Sequence, residues 1–169
     1  MEKTLQRPSR IPWWKGARGE WYVVGQAILA VLVVFGPRTG VGWTAWVRPY
    51  SQISAVAGIA LFLIGGLLFA AGVFRLGPNL TPVPFPRPEA TLVETGPYGL
   101  VRHPMYSGAV MAALGWALVV HGWLTIGYAI ALILFFDVKS RQEENWLRGK
   151  FAGYESYQRR VRKLIPYIY

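Results

Sequence analysis

The segment ISAVAGIALFLIGGLLFAAGVF, residues 53–74, is an uninterrupted run of 22 residues without a charged side chain. As an α-helix it would be about 33 Å long, which matches a hydrocarbon layer about 30 Å thick. We therefore predict a membrane-spanning helix. The small residues that would let a neighbouring helix approach closely are Gly58, Gly65, Gly66, Ala70, Ala71 and Gly72.

Two further apolar segments lie on either side of this one. Residues 21–36 would form a helix about 24 Å long, slightly short for a span. Residues 107–136 are too long for one ordinary span, and they carry His121 and Gly122 near their middle. We therefore expect an all-α membrane protein with about four transmembrane helices, the last two folded as a helical hairpin.

The connection between the second and third apolar segments, residues 75–105, contains seven prolines. No regular helix accommodates that density, because proline removes a backbone donor and clashes with the preceding turn. Connections of this length without secondary structure are usually either functional or disordered. The sequence therefore indicates this connection as the first place to look for a site.

The composition excludes several classes of protein. The chain is 53% hydrophobic and only 15% charged, whereas a soluble domain devotes about a quarter of its residues to charge. The basic residues border the apolar segments and form no folded surface of their own, which excludes a nucleic-acid-binding protein. With no cysteine in 169 residues, disulfides and thiolate metal sites are excluded, and we expect no metal.

Lysine and arginine are unevenly distributed among the polar segments. Residues 1–20 carry five, residues 75–105 carry three and residues 137–169 carry eight, while the first connection carries two. With four spans, all the rich segments lie on one side, which the positive-inside rule makes the cytoplasmic side. We therefore expect a multi-pass protein with both termini in the cytoplasm, and with anionic lipid bound at the basic termini.

Two polar segments flank the predicted hairpin: GPYGLVRHPMYSG at residues 96–108 and RQEENWLRGKFAGYESYQRRVRKLIP at residues 141–166. Antiparallel helices bring such segments to the same membrane face, within about 8–10 Å. The polar side chains expected to meet there are Tyr98, Arg102, His103, Tyr106, Arg141, Glu143, Glu144, Tyr154, Tyr157 and Arg160. Two alternatives stay open: Glu144 pairs with Arg148 on the helix surface, or His103 caps backbone groups near Pro104.

The order of these motifs resembles a known family. Gly-Pro-Tyr, Arg-His-Pro and Tyr106 are followed by Glu143-Glu144, by Phe151, Gly153, Tyr154 and Tyr157, and by a closing Ile165-Pro166. This pattern, from about residue 78 to the C-terminus, is similar to the isoprenylcysteine carboxyl methyltransferase and phospholipid methyltransferase family of integral membrane enzymes. The resemblance implies S-adenosyl-L-methionine as cofactor, held in a cytoplasm-facing pocket between the connection and the C-terminal segment. It also implies a lipophilic acceptor from the bilayer, of the isoprenylcysteine carboxylate or phospholipid amine type.

The resemblance assigns roles by position. It assigns cofactor binding to Tyr98, Leu100, Val101, His103, Tyr106, Glu143 and Glu144. It assigns catalysis to Arg102, His103, Glu144 and Arg160. Arg160 would steer an anionic acceptor. Because methyl transfer is an in-line displacement, alignment and exclusion of water should dominate. An amine acceptor would also need a base, which His103 or a glutamate would provide.

We interpret residues 1–169 as a single membrane domain, with an interfacial arm at 1–20, two spans within 21–74 and the catalytic, cofactor-binding region at 75–169.

Two other functions are compatible with the sequence. An NADPH-dependent membrane sterol-type reductase shares an Arg-His-Pro-like segment, and a non-catalytic adaptor would bind anionic lipid through the basic termini. The glutamate pair and the Phe151–Tyr154 stretch favour methyl transfer.

Overall fold

The computed structural model describes residue 16 and residues 18–169, so nearly all of the predicted interfacial arm lies outside the described part. Within that part the secondary structure is helical, with no strand beyond a single parallel bridge between Val101 and Arg162. The six α-helices are α1 (Glu20–Phe35), α2 (Tyr50–Leu76), α3 (Pro97–Leu100), α4 (Pro104–Val119), α5 (Trp123–Lys150) and α6 (Tyr154–Arg160). The all-helical prediction is confirmed for the described residues.

The predicted hairpin is confirmed at its predicted turn. Helix α4 ends at Val119 and α5 begins at Trp123. Between them His121 adopts a positive φ of 52°, and its Nε2 lies 2.8 Å from the carbonyl oxygen of Ser51. His121 thus fixes the turn against the start of α2 and lies at the opposite end of the bundle from the two polar segments.

Helices α2 and α5 are long and apolar enough to cross a membrane. Many apolar side chains on α2, such as Ile53, Leu67 and Phe74, are exposed, as expected for a surface in contact with lipid. Helices α1 and α4 have 16 residues each, or about 24 Å. The four-span topology and the cytoplasmic orientation therefore stay predictions.

A row of glycines brings α2 and α4 into backbone contact. A Cβ added at Gly58 would lie 2.7 Å from the carbonyl oxygen of Gly115, and one at Gly65 would lie 2.6 Å from that of Gly108. Gly72 faces Met105 in the same way. The seven-residue spacing keeps these positions on one face, so small residues permit close antiparallel packing. The prediction of such packing is confirmed for these three glycines, whereas Gly66 faces open space.

Helix α1 packs antiparallel against α5. Gly25 faces the ring of Phe135 near one end, and Gly36 faces the ring of Tyr128 near the other. The start of α1 and the end of α5 therefore lie at the end of the bundle where α2 stops and α4 starts. The Pro-rich connection and the C-terminal segment meet at this end.

The Pro-rich connection follows an irregular path, as predicted, apart from a 3₁₀ turn at Gly77–Asn79 and the short α3. Hydrogen bonds tie it to itself: Asn79 Oδ1 accepts from the backbone nitrogen of Thr91 at 3.1 Å. They also tie it to α5, because Lys150 Nζ donates to the carbonyl oxygen of Pro88 at 2.8 Å. The connection is thereby held across the end of the bundle.

Candidate active site

A cavity of about 400 Å³ lies between the helices and the Pro-rich connection. This volume falls in the range of roughly 300–1,000 Å³ typical of small-molecule sites. Its apolar wall includes Phe69 of α2, Met105 of α4 and Phe136 of α5, and the connection closes another side. Besides four tyrosines, its charged and polar lining consists of Gln26, Asn79, Thr81, Thr91, Arg102, His103, Lys139 and Glu143.

The backbone at the start of α4 is held by the C-terminal segment. The backbone nitrogen of Arg102 donates to the carbonyl oxygen of Arg162 at 2.8 Å, and that of His103 donates to Lys163 at 3.1 Å. Pro104 then begins α4, a position where its missing N–H costs no helical bond. These contacts fix the direction in which the Arg102 and His103 side chains leave the chain.

Glu144 joins the two polar segments from behind the cavity wall. Its Oε1 lies 2.8 Å from Arg102 Nε and 3.0 Å from His103 Nε2, and its Oε2 accepts from Gln158 Nε2 at 2.9 Å. The side chain is buried. The alternative of a surface pair with Arg148 is wrong, because Arg148 donates to Asn145 and Gln158 instead. A buried carboxylate with three polar partners positions its neighbours rigidly.

Three rings form a continuous stack along the wall. The rings of His103 and Tyr106 are nearly parallel with centroids 5.2 Å apart, and those of Tyr106 and Phe136 are 4.5 Å apart. The Tyr106 hydroxyl donates to Glu143 Oε2 at 2.6 Å. Glu143 also lies near His103, whose Nδ1 is 3.9 Å from the same oxygen. The stack therefore presents one carboxylate to the cavity in a fixed position.

Buried tyrosines complete the wall below the connection. The Tyr157 hydroxyl donates to the carbonyl oxygen of Tyr98 at 2.6 Å. Burial raises the pKa of both phenols well above the ordinary value, and for Tyr98 the nearby Glu143 carboxylate raises it further. Both hydroxyls are thus neutral at physiological pH, and Tyr157 fixes the short α3 by a hydrogen bond that does not titrate there.

The sequence model of the phospholipid methyltransferase family matches residues 53–153, which include all but the first turn of α2, the Pro-rich connection, α4 and α5. The chain belongs to the phospholipid methyltransferase family. The matched range contains the cavity residues Arg102, His103, Tyr106 and Glu143, so family membership and the cavity involve the same residues. Together with the two long apolar helices, membership makes the chain an integral membrane protein.

Three similar proteins illustrate how varied the functions of such relatives are. A cobalt-zinc-cadmium resistance protein of Cupriavidus metallidurans is 30% identical over 149 residues, covering 88% of this chain and 62% of that protein. A probable protein-S-isoprenylcysteine O-methyltransferase of Oryza sativa subsp. indica is 30% identical over 125 residues, covering 72% and 65%. A steroid 5-alpha-reductase of Arabidopsis thaliana is 26% identical over 112 residues, covering 64% and 42%. The chain thus spans less than two thirds of the length of each.

The predicted site residues of this phospholipid methyltransferase family member fall into two groups. Those that line the cavity are Tyr98, Arg102, His103, Tyr106, Glu143, Tyr154 and Tyr157. Leu100 is 55% exposed, and Val101 is buried against the C-terminal segment. Arg160 is outside the cavity, where it forms a 2.6 Å ion pair with Glu94. Arg141 is also outside, paired with Asp137.

Two cavity residues of this family member, Lys139 and Gln26, are not among those that the sequence motifs predicted. Lys139 is 4% exposed, and its Nζ lies 2.6 Å from Gln26 Oε1 and 5.0 Å from the centroid of the Tyr106 ring. The sequence does indicate that Lys139 lies near the site, because Lys139 precedes Glu143 by one helical turn on the same face of α5. The sequence also sets Gln26 apart, because it is the lone polar side chain between residues 23 and 35.

The part of the chain that the structure describes offers no cluster of side chains suited to binding a metal ion. Among residues 18–169, no group of three or more histidine, aspartate or glutamate side chains is arranged to hold a metal ion. His103 and the two glutamates instead contact Arg102, Tyr106 and Gln158. In this family member the acidic pair is therefore engaged in hydrogen bonds and ion pairs within the protein.

Proposed function

We propose that this chain is an S-adenosyl-L-methionine-dependent methyltransferase that acts on a lipophilic acceptor in the membrane. The observation that carries the proposal is the cavity of about 400 Å³, in which Glu143, the ring stack and Lys139 line one space between the two motif segments. Family membership supports the reaction class. Similarity to a probable protein-S-isoprenylcysteine O-methyltransferase supports a lipid-like acceptor.

The residues of the cavity fit the chemical groups of the cofactor. Its amino group and ribose hydroxyls need an acceptor such as Glu143, its flat adenine and sulfonium favour aromatic faces, and its carboxylate needs a cation or backbone amides. Tyr98 and Tyr106 provide ring faces in the same cavity. When bound, the cofactor would supply an electrophilic methyl group.

Positioning is the main task that we assign to the protein. Glu144 lies behind the wall and fixes the side chains of Arg102 and His103 through contacts of 2.8 and 3.0 Å. The Pro-rich connection covers the cavity and would exclude water from it. These two effects, alignment and desolvation, are the ones on which an in-line displacement depends most.

The acceptor would enter from the apolar side of the bundle. Phe69 of α2 and Met105 of α4 line the cavity on that side, and both helices expose apolar surface suited to lipid. We place the cavity at the cytoplasmic face because the basic segments lie at the same end of the bundle. The basic C-terminal residues would bind anionic lipid at that face.

The experiment that tests this proposal maps the cofactor site directly. The full chain in detergent is irradiated with S-adenosylmethionine carrying a labelled methyl group, and labelled peptides are identified. We expect label on peptides within residues 96–108 or 136–158, prevented by excess S-adenosylhomocysteine and reduced by Glu143→Gln. Glu155→Gln, an exposed α6 residue outside the cavity, serves as the matched control. Labelling that is not reduced when excess S-adenosylhomocysteine is present during irradiation would contradict the proposal.

A reductase is the second candidate, and the similarity to a steroid 5-alpha-reductase favours it. That match covers 42% of the reductase, whereas the methyltransferase match covers 65% of its relative. The same irradiation with excess NADPH as competitor separates the two candidates. Loss of label with NADPH but not with S-adenosylhomocysteine would favour the reductase.

A further inference from the structure

Residues 165–169 form a tight turn that exposes large apolar side chains. Three of them, Ile165, Tyr167 and Ile168, here termed the tip, are 50%, 89% and 76% exposed. The backbone nitrogen of Tyr169 donates to the carbonyl oxygen of Ile165 at 3.0 Å and closes the turn. Tyr167 adopts a positive φ of 64°, which is uncommon for a residue with a side chain. The turn thus holds the tip away from the protein at a cost in backbone strain.

Contacts with Asp137 fix the depth of this turn in the bundle. Asp137 is the first residue after the apolar segment 107–136, so α5 leaves the hydrocarbon layer near it. The Lys163 ammonium and the Tyr169 hydroxyl each donate to its Oδ1 at 2.6 Å. Both ends of the turn are therefore tied to this level. The tip lies at the boundary between the hydrocarbon layer and the headgroups.

The charged side chains beside the turn fit an anionic membrane surface. Arg159 and Arg162 are exposed. Lys163 belongs to the same basic run, but it is 6% exposed and paired with Asp137, so it is not available to lipid. Segments that bind at the membrane interface combine buried apolar area with attraction to anionic lipid, and tyrosine is enriched there. The tip and the two arginines have both properties.

The residues just before the turn hold the start of α4. The backbone nitrogens of Arg102 and His103 donate to the carbonyl oxygens of residues 162 and 163. The next carbonyl oxygen, that of Leu164, accepts from Ser107 Oγ at 2.6 Å. The side chains of the tip do not themselves line the cavity. Their position can therefore affect the site only through the backbone of residues 162–164.

We propose that the tip inserts into the lipid interface and thereby holds residues 162–164 against the start of α4. The partner is the boundary between headgroups and acyl chains, with anionic lipid favoured by the two exposed arginines. Insertion itself does not depend on the proposed function, whereas its effect on the cofactor site rests on it. A segment that is already ordered costs less to order again when a second ligand binds, so insertion strengthens cofactor binding.

Insertion is measured with one fluorophore on the full chain, in nanodiscs of phosphatidylcholine and phosphatidylglycerol. The chain contains no cysteine, so one introduced thiol labels one position. Ile168→Cys places a nitrobenzoxadiazole fluorophore on the tip. Leu67→Cys places it on the exposed apolar surface of α2, and Glu155→Cys places it on the exposed surface of α6. Iodide quenches a label in water, and lipids with a doxyl group near the headgroup quench a label at the interface.

We expect the Ile168→Cys label to be quenched by the doxyl lipid and protected from iodide. The Leu67→Cys label should also be protected from iodide, whereas the Glu155→Cys label should be quenched by it. Iodide quenching at position 168 as strong as at position 155 would overturn the insertion. Protection from both quenchers that is lost when each nanodisc holds one copy would show contact between two copies, and it would overturn the insertion as well.

The link to the site is measured as S-adenosylhomocysteine affinity in the same nanodiscs. The tip variant replaces Ile165, Tyr167 and Ile168 by serine and keeps the backbone bonds of residues 162–164. We expect it to bind about fivefold more weakly than the wild type, as for a typical coupling between two sites. Val41→Ser is the control, because it removes an exposed apolar side chain at the opposite end of the bundle, and its affinity should not change.

Ile168→Ser alone should give a smaller loss of affinity in the same direction, and it keeps the link testable if the triple variant does not fold. Wild-type affinity in the folded tip variant would overturn the link between the membrane and the site. A wild type whose tip inserts but which does not bind S-adenosylhomocysteine would instead overturn the proposed function and leave the membrane contact standing.

Discussion

Arg102 and Glu144, 42 positions apart in the sequence, form a 2.8 Å ion pair with side chains that are 11% and 8% exposed. The pair joins the start of α4 to the polar end of α5 directly behind the cavity wall. Arg102 also donates to the carbonyl oxygens of Gln158 and Val161. One buried contact thereby holds together the three segments that form the site.

Removing Glu144 should destabilise the fold as well as the site. Glu144→Ala leaves the Arg102 guanidinium buried without its carboxylate, for which we expect a loss of about 3–5 kcal/mol. Thermal or denaturant unfolding in detergent measures it, with Glu155→Gln as the exposed control. Unchanged stability would show that the ion pair does not hold the segments together.

Replacing Glu143 should affect binding and not stability, because this carboxylate lines the cavity and is only partly buried. Glu143→Gln keeps an acceptor for the Tyr106 hydroxyl but loses the charge. We expect S-adenosylhomocysteine affinity to fall about tenfold, the effect of one charge-assisted hydrogen bond. Calorimetric titration tests this, and wild-type affinity in the variant would remove Glu143 from the cofactor site.

The glycine contact between α2 and α4 offers a matched pair of variants. A Cβ at Gly65 would lie 2.6 Å from the backbone of α4, whereas one at Gly66 meets nothing within 4 Å. Gly65→Ala should cost about 1–3 kcal/mol through overpacking. Gly66→Ala should be neutral or stabilising by up to about 1 kcal/mol, because alanine favours a helix. Equal unfolding temperatures for the two variants would contradict the packing.

Alkaline pH should weaken the fold through its buried tyrosines. Burial raises the pKa of Tyr98 and Tyr157 in the folded chain, so above about pH 10 the unfolded chain loses these protons before the folded chain does. Stability contributed by the neutral phenols is thus complete below about pH 10 and falls as the pH rises further.

Tyr157→Phe tests the tyrosine prediction at one position. At neutral pH it should cost about 1–3 kcal/mol, because the buried carbonyl oxygen of Tyr98 loses its donor. It should also flatten the decline of the unfolding temperature above about pH 10. A variant that declines as steeply as the wild type would show that Tyr157 does not contribute.

Sequence patterns predicted the features that depend on local chemistry. His121 and Gly122 marked the turn of the hairpin, and the hairpin then brought Arg102 and Glu144 together. The glycines of α2 predicted close packing, although the sequence did not separate Gly65 from Gly66. That distinction depends on which face of α2 meets α4, and an evenly apolar helix carries no periodic signal for its rotation.

The remaining parts of the site depend on long-range packing. Gln26 reaches Lys139 across 113 positions because α1 packs on α5, and no local pattern indicates that pairing. The spacing of Glu144 and Arg148 fitted a surface pair equally well until the inward face of α5 was known. Arg160 lies outside the cavity because α6 begins after the turn at residues 151–153 and because its side chain pairs with Glu94.

The most direct test of the central proposal is a parallel calorimetric titration of the folded, detergent-purified chain with S-adenosylhomocysteine and with NADPH. We expect saturable binding of S-adenosylhomocysteine alone, weakened by Glu143→Gln and unchanged by Glu155→Gln. Saturable binding of NADPH alone would contradict the methyltransferase proposal and favour the reductase, and binding of neither ligand would contradict both.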